Sequence, residues 1–543
     1  MKVVIVGGVA GGATTATRLR RLDENAEMIL FERGEHISFA NCGLPYYVGN
    51  VIKNEEDLLV QTPEKFKERF NIDVRISQEV IKIDKENKKV EVKKNDTGET
   101  YFETYDKLVL SPGAEPINPF KEVKSDRIFT IRNVNDAEKV KAFIKSNNPK
   151  SAVIVGGGYI GVEMAENLSE YNMEVSIVEK APHLISIIDN DIAHFVHKEV
   201  KKHGVKLYLN QGVNKIEEQE KLVLTLDNEK IETDLVILCI GVRPESNLAK
   251  EAGLSLNEKG AIIVNNKMQT SDENIYALGD AVEVQNIITG ARSGIALAGP
   301  ANRQARTVAN NIEGITSTYD GFIGSSILKV FNYSLGIVGL SERVCQTLKI
   351  PYKIMIISPY SHATYYPGAK TLTIKAIYNS ETSQILGAYI WGKASVDKIT
   401  DILSIAIQTK MKAADLSALE LCYAPPFSSA KSPVNILGNA IENEINGLVD
   451  TISIEELKNK EKPYILDVRT IEEYNLSHID GAINIPLDEL RKDLENLDKS
   501  KEIVVHCHSG LRSYLACRIL KQNGYNVKNL IGGYIMYDII KND

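Results

Sequence analysis

Two stretches of this chain follow one plan, and that repeat limits the fold more than any other feature. "KVVIVGGVAGGATTATRLRR" (2–21) and "AVIVGGGYIGVEMAENLSE" (152–170) each join a β-branched run to a glycine-rich turn and a helix-forming stretch. Each leads to a second apolar run ending in an acid, "MILFERG" at Glu32 and "VSIVEKA" at Glu179. The pattern is that of a βαβ dinucleotide-binding unit, present twice. Glycines permit the tight turn and let backbone N–H groups approach a pyrophosphate at a helix N-terminus, while the acid holds ribose hydroxyls. The second unit has all three glycines, Gly156, Gly158 and Gly161. The first has Gly7 and Gly12 but Val9 between them, which loosens the backbone's approach to phosphate there.

A chain of 543 residues has room for three or four such domains. Its net charge of −8, with acids and bases interleaved, argues against a nucleic-acid partner. No apolar run reaches the roughly eighteen residues of a membrane helix, so no membrane partner is expected. The six cysteines form no CxxC pair, which fits reduced thiols and a cytoplasmic enzyme. Strand-rich segments at 88–94 and 221–228 follow the two units, and "SPGAEP" and "GVRPES" read as crossings between domains.

Cys42 has no second cysteine before Cys239, so it cannot cycle as an internal dithiol. Its second sulfur must come from outside, as a mixed disulfide or persulfide with a substrate. "NCGLPY" (41–46) reads as a helix start with Asn41 as N-cap, an arrangement that favours thiolate at Cys42. Thr14, Arg18 and Arg21 fall at i, i+4 and i+7 on one helix face, a basic surface suited to phosphates, with Arg20 pointing elsewhere.

"TSDENIYALGDAVE" (270–283), taken with the N-terminal unit, "SPGAEP" and "GVRPES", resembles the flavoprotein disulfide reductase family. Within it, "SFANCGLPYY" (38–47), "LAGPANRQARTVANNI" (297–312), "HATYYPGA" (362–369) and "YAPPFSSAKSPVN" (423–435) resemble the coenzyme A disulfide reductase branch. The resemblance implies FAD on the first unit, with Gly7, Gly12, Glu32, Arg33, Asp280 and Ala281 around it, Asp280 on the ribityl chain. It implies NADH on the second, held by Gly156, Gly158, Gly161, Glu179 and Gly241. Glu179 repels a 2′-phosphate while Lys180 softens that preference, leaving NADPH as the alternative. The coenzyme A set implied is Thr14, Arg18, Arg21, Ser38 and Asn41, with Asn302 and Lys431 from the later motifs. Tyr365 and Tyr423 are implied to come from the partner subunit of a homodimer and to protonate the leaving thiolate, with Tyr366 the alternative to Tyr365.

The C-terminal "YILDVRTIEEYNLSHIDGAINIP" (464–486) and "EIVVHCHSGLRSYLACRIL" (502–520) resemble a single rhodanese domain. The loop "CHSGLR" aims backbone N–H groups at the Cys507 sulfur, and Arg512 adds positive charge; both favour a bound persulfide. A cysteine–arginine loop also serves phosphatases. His506, Cys507 and His508 lack the further ligands a metal site needs, and no metal is expected. Cys239, Cys345, Cys422 and Cys517 read as packing residues.

The fold expected is α/β, with two Rossmann-like dinucleotide-binding domains, an α+β dimerisation domain and an α/β rhodanese domain. The boundaries are 1–110 plus 245–320 for FAD, 111–244 for NAD(P)H, 321–445 for dimerisation, 446–455 as linker and 456–543 for the rhodanese. The activity expected is NADH-dependent reduction of coenzyme A persulfide, polysulfide or disulfide, with sulfane-sulfur transfer at Cys507. The rivals are an NADH oxidase or peroxidase cycling Cys42 through a sulfenic acid, and a sulfur-sensing module.

Overall fold

Valine and isoleucine runs too apolar for any half-exposed position become the central strands of two parallel sheets. The computed structural model describes all 543 residues and groups them in two units, Met1–Pro182 with Gly204–Phe322, and His183–His203 with Ile323–Asp543.

In the first unit, β1 (Lys2–Val6) feeds a glycine turn into α1 (Ala10–Arg20), and the chain returns as β2 (Glu27–Phe31). A five-residue helix, α2 (Leu44–Val48), follows. The second copy of the plan is β3 (Ser151–Val155), α3 (Tyr159–Ser169) and β4 (Glu174–Glu179). The first sheet runs Asp73–Arg75, β2, β1, Lys107–Leu110, Ile275–Ala277, with every neighbour parallel. The second runs Lys206–Leu209, β4, β3, Leu235–Leu238, Ile128–Thr130, again all parallel. In each, the strand before the glycine turn has its successors on opposite sides, the switch point where such sheets bind ligands. The strand-rich segments at 88–94 and 221–228 each join a three-stranded antiparallel sheet. "SPGAEP" and "GVRPES" meet as the antiparallel strands Ala114–Pro116 and Val242–Pro244.

The repeat extends to atomic packing. A Cβ on Gly12 would sit 1.8 Å from the Gly7 carbonyl oxygen, and one on Gly161 would sit 2.0 Å from that of Gly156. Gly7 and Gly156 themselves have φ of +96° and +106°, open to glycine alone at little cost. On α1, Arg20 turns inward and caps the carbonyls of Phe70, Asn71 and Ala26.

The second unit opens with α4 (Asn190–Lys202), which follows β4 in sequence. What fastens it is Lys375, wholly buried in β5 (Leu372–Asn379). Its ammonium meets Asp191 at 2.7 Å, Asp189 at 3.1 Å and Glu342 at 2.5 Å. Burial among these charges pushes the Asp189 carboxyl up to about 6. β5 lies inside a five-stranded antiparallel sheet with Ile385–Gly392 and Tyr352–Ile357 as neighbours.

The C-terminal sheet is parallel, in the order Asp450–Ile452, Asn526–Leu530, the strand Glu502–His506, Tyr464–Asp467, Ile483–Asn484. Residues 446–455, read as a linker, contain its edge strand Asp450–Ile452 and the Ser453 cap of the next helix. This three-residue strand is too short to show a period of its own, and its pairing partner, Lys528 opposite Asp450, lies far along the chain. No helix is long and apolar enough to cross a membrane.

Candidate active site

The two glycine turns are braced alike. Gly8 N–H donates to Glu32 Oε2 and Gly34 N–H to Oε1, both at 2.8 Å. Gly157 N–H donates to Glu179 Oε2 at 2.6 Å, and Ala181 N–H to Oε1 at 2.7 Å. Each acid thus ties its own turn to the strand end. A Cβ on Gly158 would meet nothing within 4 Å, so this turn faces open space, whereas one on Gly241, at φ +111°, would lie 3.8 Å from Ile117.

Beside the first turn lies a cavity of about 480 Å³ lined by Gly7, Val9, Glu32, Arg33, Asn41 and Asp280, among others. Asn41 Oδ1 is buried with no hydrogen-bond partner, and burial raises the Asp280 carboxyl, with Arg132 opposing. A glycine turn, an acid for ribose and a second acid at the cavity's side fit FAD. Arg33 is paired with Glu115, and Ala281 is buried behind Asp280.

Cys42 occupies a single 3₁₀ turn, Asn41–Gly43, ahead of α2. The expected N-cap is absent: the turn's cap position is Ala40, that of α2 is Gly43, and neither gives a side-chain bond. A helix this short carries little dipole. Burial pushes the Cys42 thiol up, and the charges of Glu163 on α3 and Asp280 push it further. The expectation that the local helix favours thiolate is therefore corrected. Tyr46 Oη donates to Glu163 Oε1 at 3.0 Å, and burial raises the carboxyl of Glu163. Neither residue was singled out in the sequence, because Glu163 lies 121 positions from Cys42.

The substrate residues of α1 meet α5 (Ala298–Ile312), which packs along it. Thr14 Oγ1 donates to Asn302 Oδ1 at 2.5 Å, and Arg18 donates to Asn310 Oδ1 at 3.0 and 3.2 Å. Partial burial, then the like charges of Arg306 and Arg21, push the Arg18 guanidinium down. Arg306 was missed by sequence reading; its spacing of four from Asn302 was the available signal. Ser38 adopts φ +46° and donates its N–H to Gly8 O at 2.8 Å, linking this loop to the first turn.

In the second unit, Tyr365 and Tyr423 are brought together, Oη to Oη at 2.5 Å, with 73% and 45% of their surface exposed. Lys431 is exposed in the same unit, and Tyr366 turns toward His362 instead.

In the C-terminal sheet, α6 (Ile471–Leu476) precedes β6 (Glu502–His506), and the loop "CHSGLR" leads into α7 (Leu511–Gln522). The helix starts at Leu511, because Gly510 at φ +102° makes the turn. Gly510 N–H donates to Cys507 Sγ at 3.1 Å and Ser513 Oγ lies 3.4 Å from it, while the sulfur's residue is only 1% exposed. Arg512 donates both terminal nitrogens to Glu473, at 2.6 and 2.7 Å. Glu473, missed in the sequence, was legible as the last residue of a "TIEE" capping box on Thr470. Behind the loop, Arg469 forks the buried Asp467 at 2.6–3.0 Å, and burial pushes His506 down to about 4.

Comparison with known proteins reaches 99% of the chain. Residues 1–305 match the pyridine nucleotide-disulphide oxidoreductase description, 325–433 its dimerisation domain and 452–537 the rhodanese-like domain. A coenzyme A disulfide reductase of Staphylococcus aureus is 36% identical over 439 residues, 80% of this chain and 99% of the relative. The crystal structure of reduced Bacillus anthracis CoADR-RHD is 48% identical, with a TM-score of 0.96 over 99% of this chain and 98% of that one. A NAD-dependent persulfide reductase from A. fulgidus is 35% identical, with a TM-score of 0.94 over 99% and 100%.

Proposed function

Because this chain belongs to the pyridine nucleotide-disulphide oxidoreductase family, whose members depend on FAD and NAD(H), we propose that it reduces coenzyme A persulfide, polysulfide and disulfide with NADH, as a cytoplasmic homodimer whose rhodanese region carries sulfane sulfur on Cys507. One observation carries the reading. Cys42 is a free, exposed cysteine within reach of the charge of Asp280, in the unit whose Arg18, Arg21 and Arg306 crowd together.

The thiolate of Cys42 attacks coenzyme A persulfide at the sulfur bound to carbon, forming a mixed disulfide and releasing hydrosulfide. With the disulfide, coenzyme A thiolate leaves instead. Two electrons and a proton, originating on NADH, then split the mixed disulfide to the Cys42 thiolate and free coenzyme A. FAD, when bound, supplies the two-electron relay between nicotinamide and sulfur. Gly7, Gly12, Glu32, Arg33, Asp280 and Ala281 hold it, and the braced Gly156–Gly161 turn with Glu179 and Gly241 holds NADH in preference to NADPH. Thr14, Arg18, Arg21, Ser38, Asn41, Asn302 and Lys431 hold coenzyme A, the arginines gripping phosphate. The phenol pair of Tyr365 and Tyr423 protonates the thiolate leaving from Cys42 of the second copy. The regions 1–110 with 245–320, 111–244, 321–445 and the C-terminal part take the FAD, NADH, dimerisation and sulfur-carrying tasks respectively.

NADH oxidation with coenzyme A persulfide, coenzyme A disulfide and oxygen, in wild type and Cys42→Ser, tests the reading. Sulfur-dependent turnover that vanishes in Cys42→Ser supports it. Steady oxygen-dependent turnover without a sulfur substrate overturns it.

A further inference from the structure

We propose that Glu473, by cancelling the charge of Arg512, makes the Cys507 loop selective for alkyl persulfides and polysulfides and turns away dianionic sulfur donors such as thiosulfate. The inference rests on Cys507 being a sulfur carrier and adds which donors it takes.

The charges around the sulfur are balanced one by one. Arg512 is committed to Glu473 by two hydrogen bonds of 2.6 and 2.7 Å, a planar fork that uses both its terminal nitrogens. Arg469 is committed to Asp467, both buried. Burial pushes His506 and His508 down, which disfavours a positive charge on either ring. Gly510 N–H and Ser513 Oγ reach the sulfur as dipoles without charge, and the one cation that also acts on it, Arg512, is shared with and neutralised by Glu473. A sulfur carrying a single negative charge is satisfied by two such donors. A second charge, like that on the sulfonate end of thiosulfate, finds no free cation. A cysteine–arginine loop built for a dianion needs its arginine unbound.

The transfer itself is balanced. The Cys507 thiolate attacks the outer sulfur of R–S–SH, the S–S bond breaks with its electron pair going to the R–S⁻ leaving group, and Cys507 keeps the –SH as its own persulfide. Thiosulfate gives the same bond change with sulfite as the leaving group.

Glu473 also caps α6, donating no charge to that role that glutamine could not replace. Glu473→Gln thus keeps the cap and frees Arg512. Full-length enzyme is given 2-hydroxyethyl persulfide or thiosulfate as donor with cyanide as acceptor, and thiocyanate is followed. In wild type, kcat/KM for thiosulfate is expected at least 100-fold below that for the persulfide. Glu473→Gln should raise thiosulfate kcat/KM by roughly 30-fold, through KM, with less than threefold change for the persulfide. Glu473→Asp, which retains the charge, and Thr470→Ala, which weakens only the cap, should keep the wild-type preference. Thiosulfate used as well as persulfide by wild type overturns the proposal, and so does a Glu473→Gln variant with an unchanged ratio. Should Cys507 accept sulfur from neither donor, the carrier role itself falls, a result distinct from either.

Discussion

Cys42 and Cys507 each stand just before a helix, yet their surroundings are opposed. Cys507 is buried and receives a backbone N–H and a hydroxyl at its sulfur. Cys42 stands in one 3₁₀ turn with part of its surface open, yet partial burial of its thiol and then two carboxylates push that thiol up. The loop after β6 is organised around an anionic sulfur by its own backbone. The turn before α2 is not, so the reactivity of Cys42 depends on what binds beside it. On the function proposed above, Cys507 stores sulfur and Cys42 responds to ligands.

The sharpest way to break this contrast is to exchange the losses. Cys42→Ser is expected to lower NADH-dependent reduction of coenzyme A disulfide by more than about 1000-fold, whereas Cys507→Ser leaves it within about twofold. Steady-state assays of both variants decide it, and equal losses would erase the division. The tyrosine pair gives the next largest effect. Tyr423→Phe should cut kcat by roughly 100-fold with little change in KM, the usual weight of a proton donor, and leave sulfur loading of Cys507 untouched.

Arg21→Ala should raise KM for coenzyme A substrates by roughly tenfold or more, since a charged hydrogen bond is worth about 1.5–3 kcal/mol. Inorganic polysulfide, which lacks the nucleotide, should show no such shift. The smallest effect falls on stability at the Cys507 side. His506 is held near pKa 4 when folded against 6.5 in the free chain, so the unfolded state takes up the proton first. Its contribution is complete above pH 6.5 and is lost as pH falls toward 4, about 3 kcal/mol in all. Hydrogen exchange in β6 and in Tyr464–Asp467 should quicken over that window and do so far less in His506→Gln.

Much of this was legible in sequence because its signals are local. The glycine spacing, the terminal acids and the "CHSGLR" loop lie within about 30 residues of the groups they serve, and the resemblance singled out Tyr365 and Tyr423, which the fold brings together. What escaped depends on long separations. The thiol of Cys42 is governed by residues 163 and 280, which no inspection of "NCGLPY" reveals. Arg306 joins Arg18 only because α1 and α5 pack together. The strand at 450–452 is too short to carry a period of its own and is defined by residues 528–530. Glu473 was visible as a helix cap, but its second duty to Arg512 needed the fold.

The buried ammonium of Lys375 bears on how this polypeptide can be taken apart. Two of its three counter-charges, Asp189 and Asp191, arrive on a short excursion of chain, 183–203, that leaves the nucleotide-binding unit and returns. A fragment starting at residue 323 would keep Glu342 alone and strand a cation in an apolar sheet, a burden of several kcal/mol. Scissors applied at the obvious seam would therefore yield an insoluble half, and a stable excised piece would have to carry the excursion with it as a grafted or co-expressed helix.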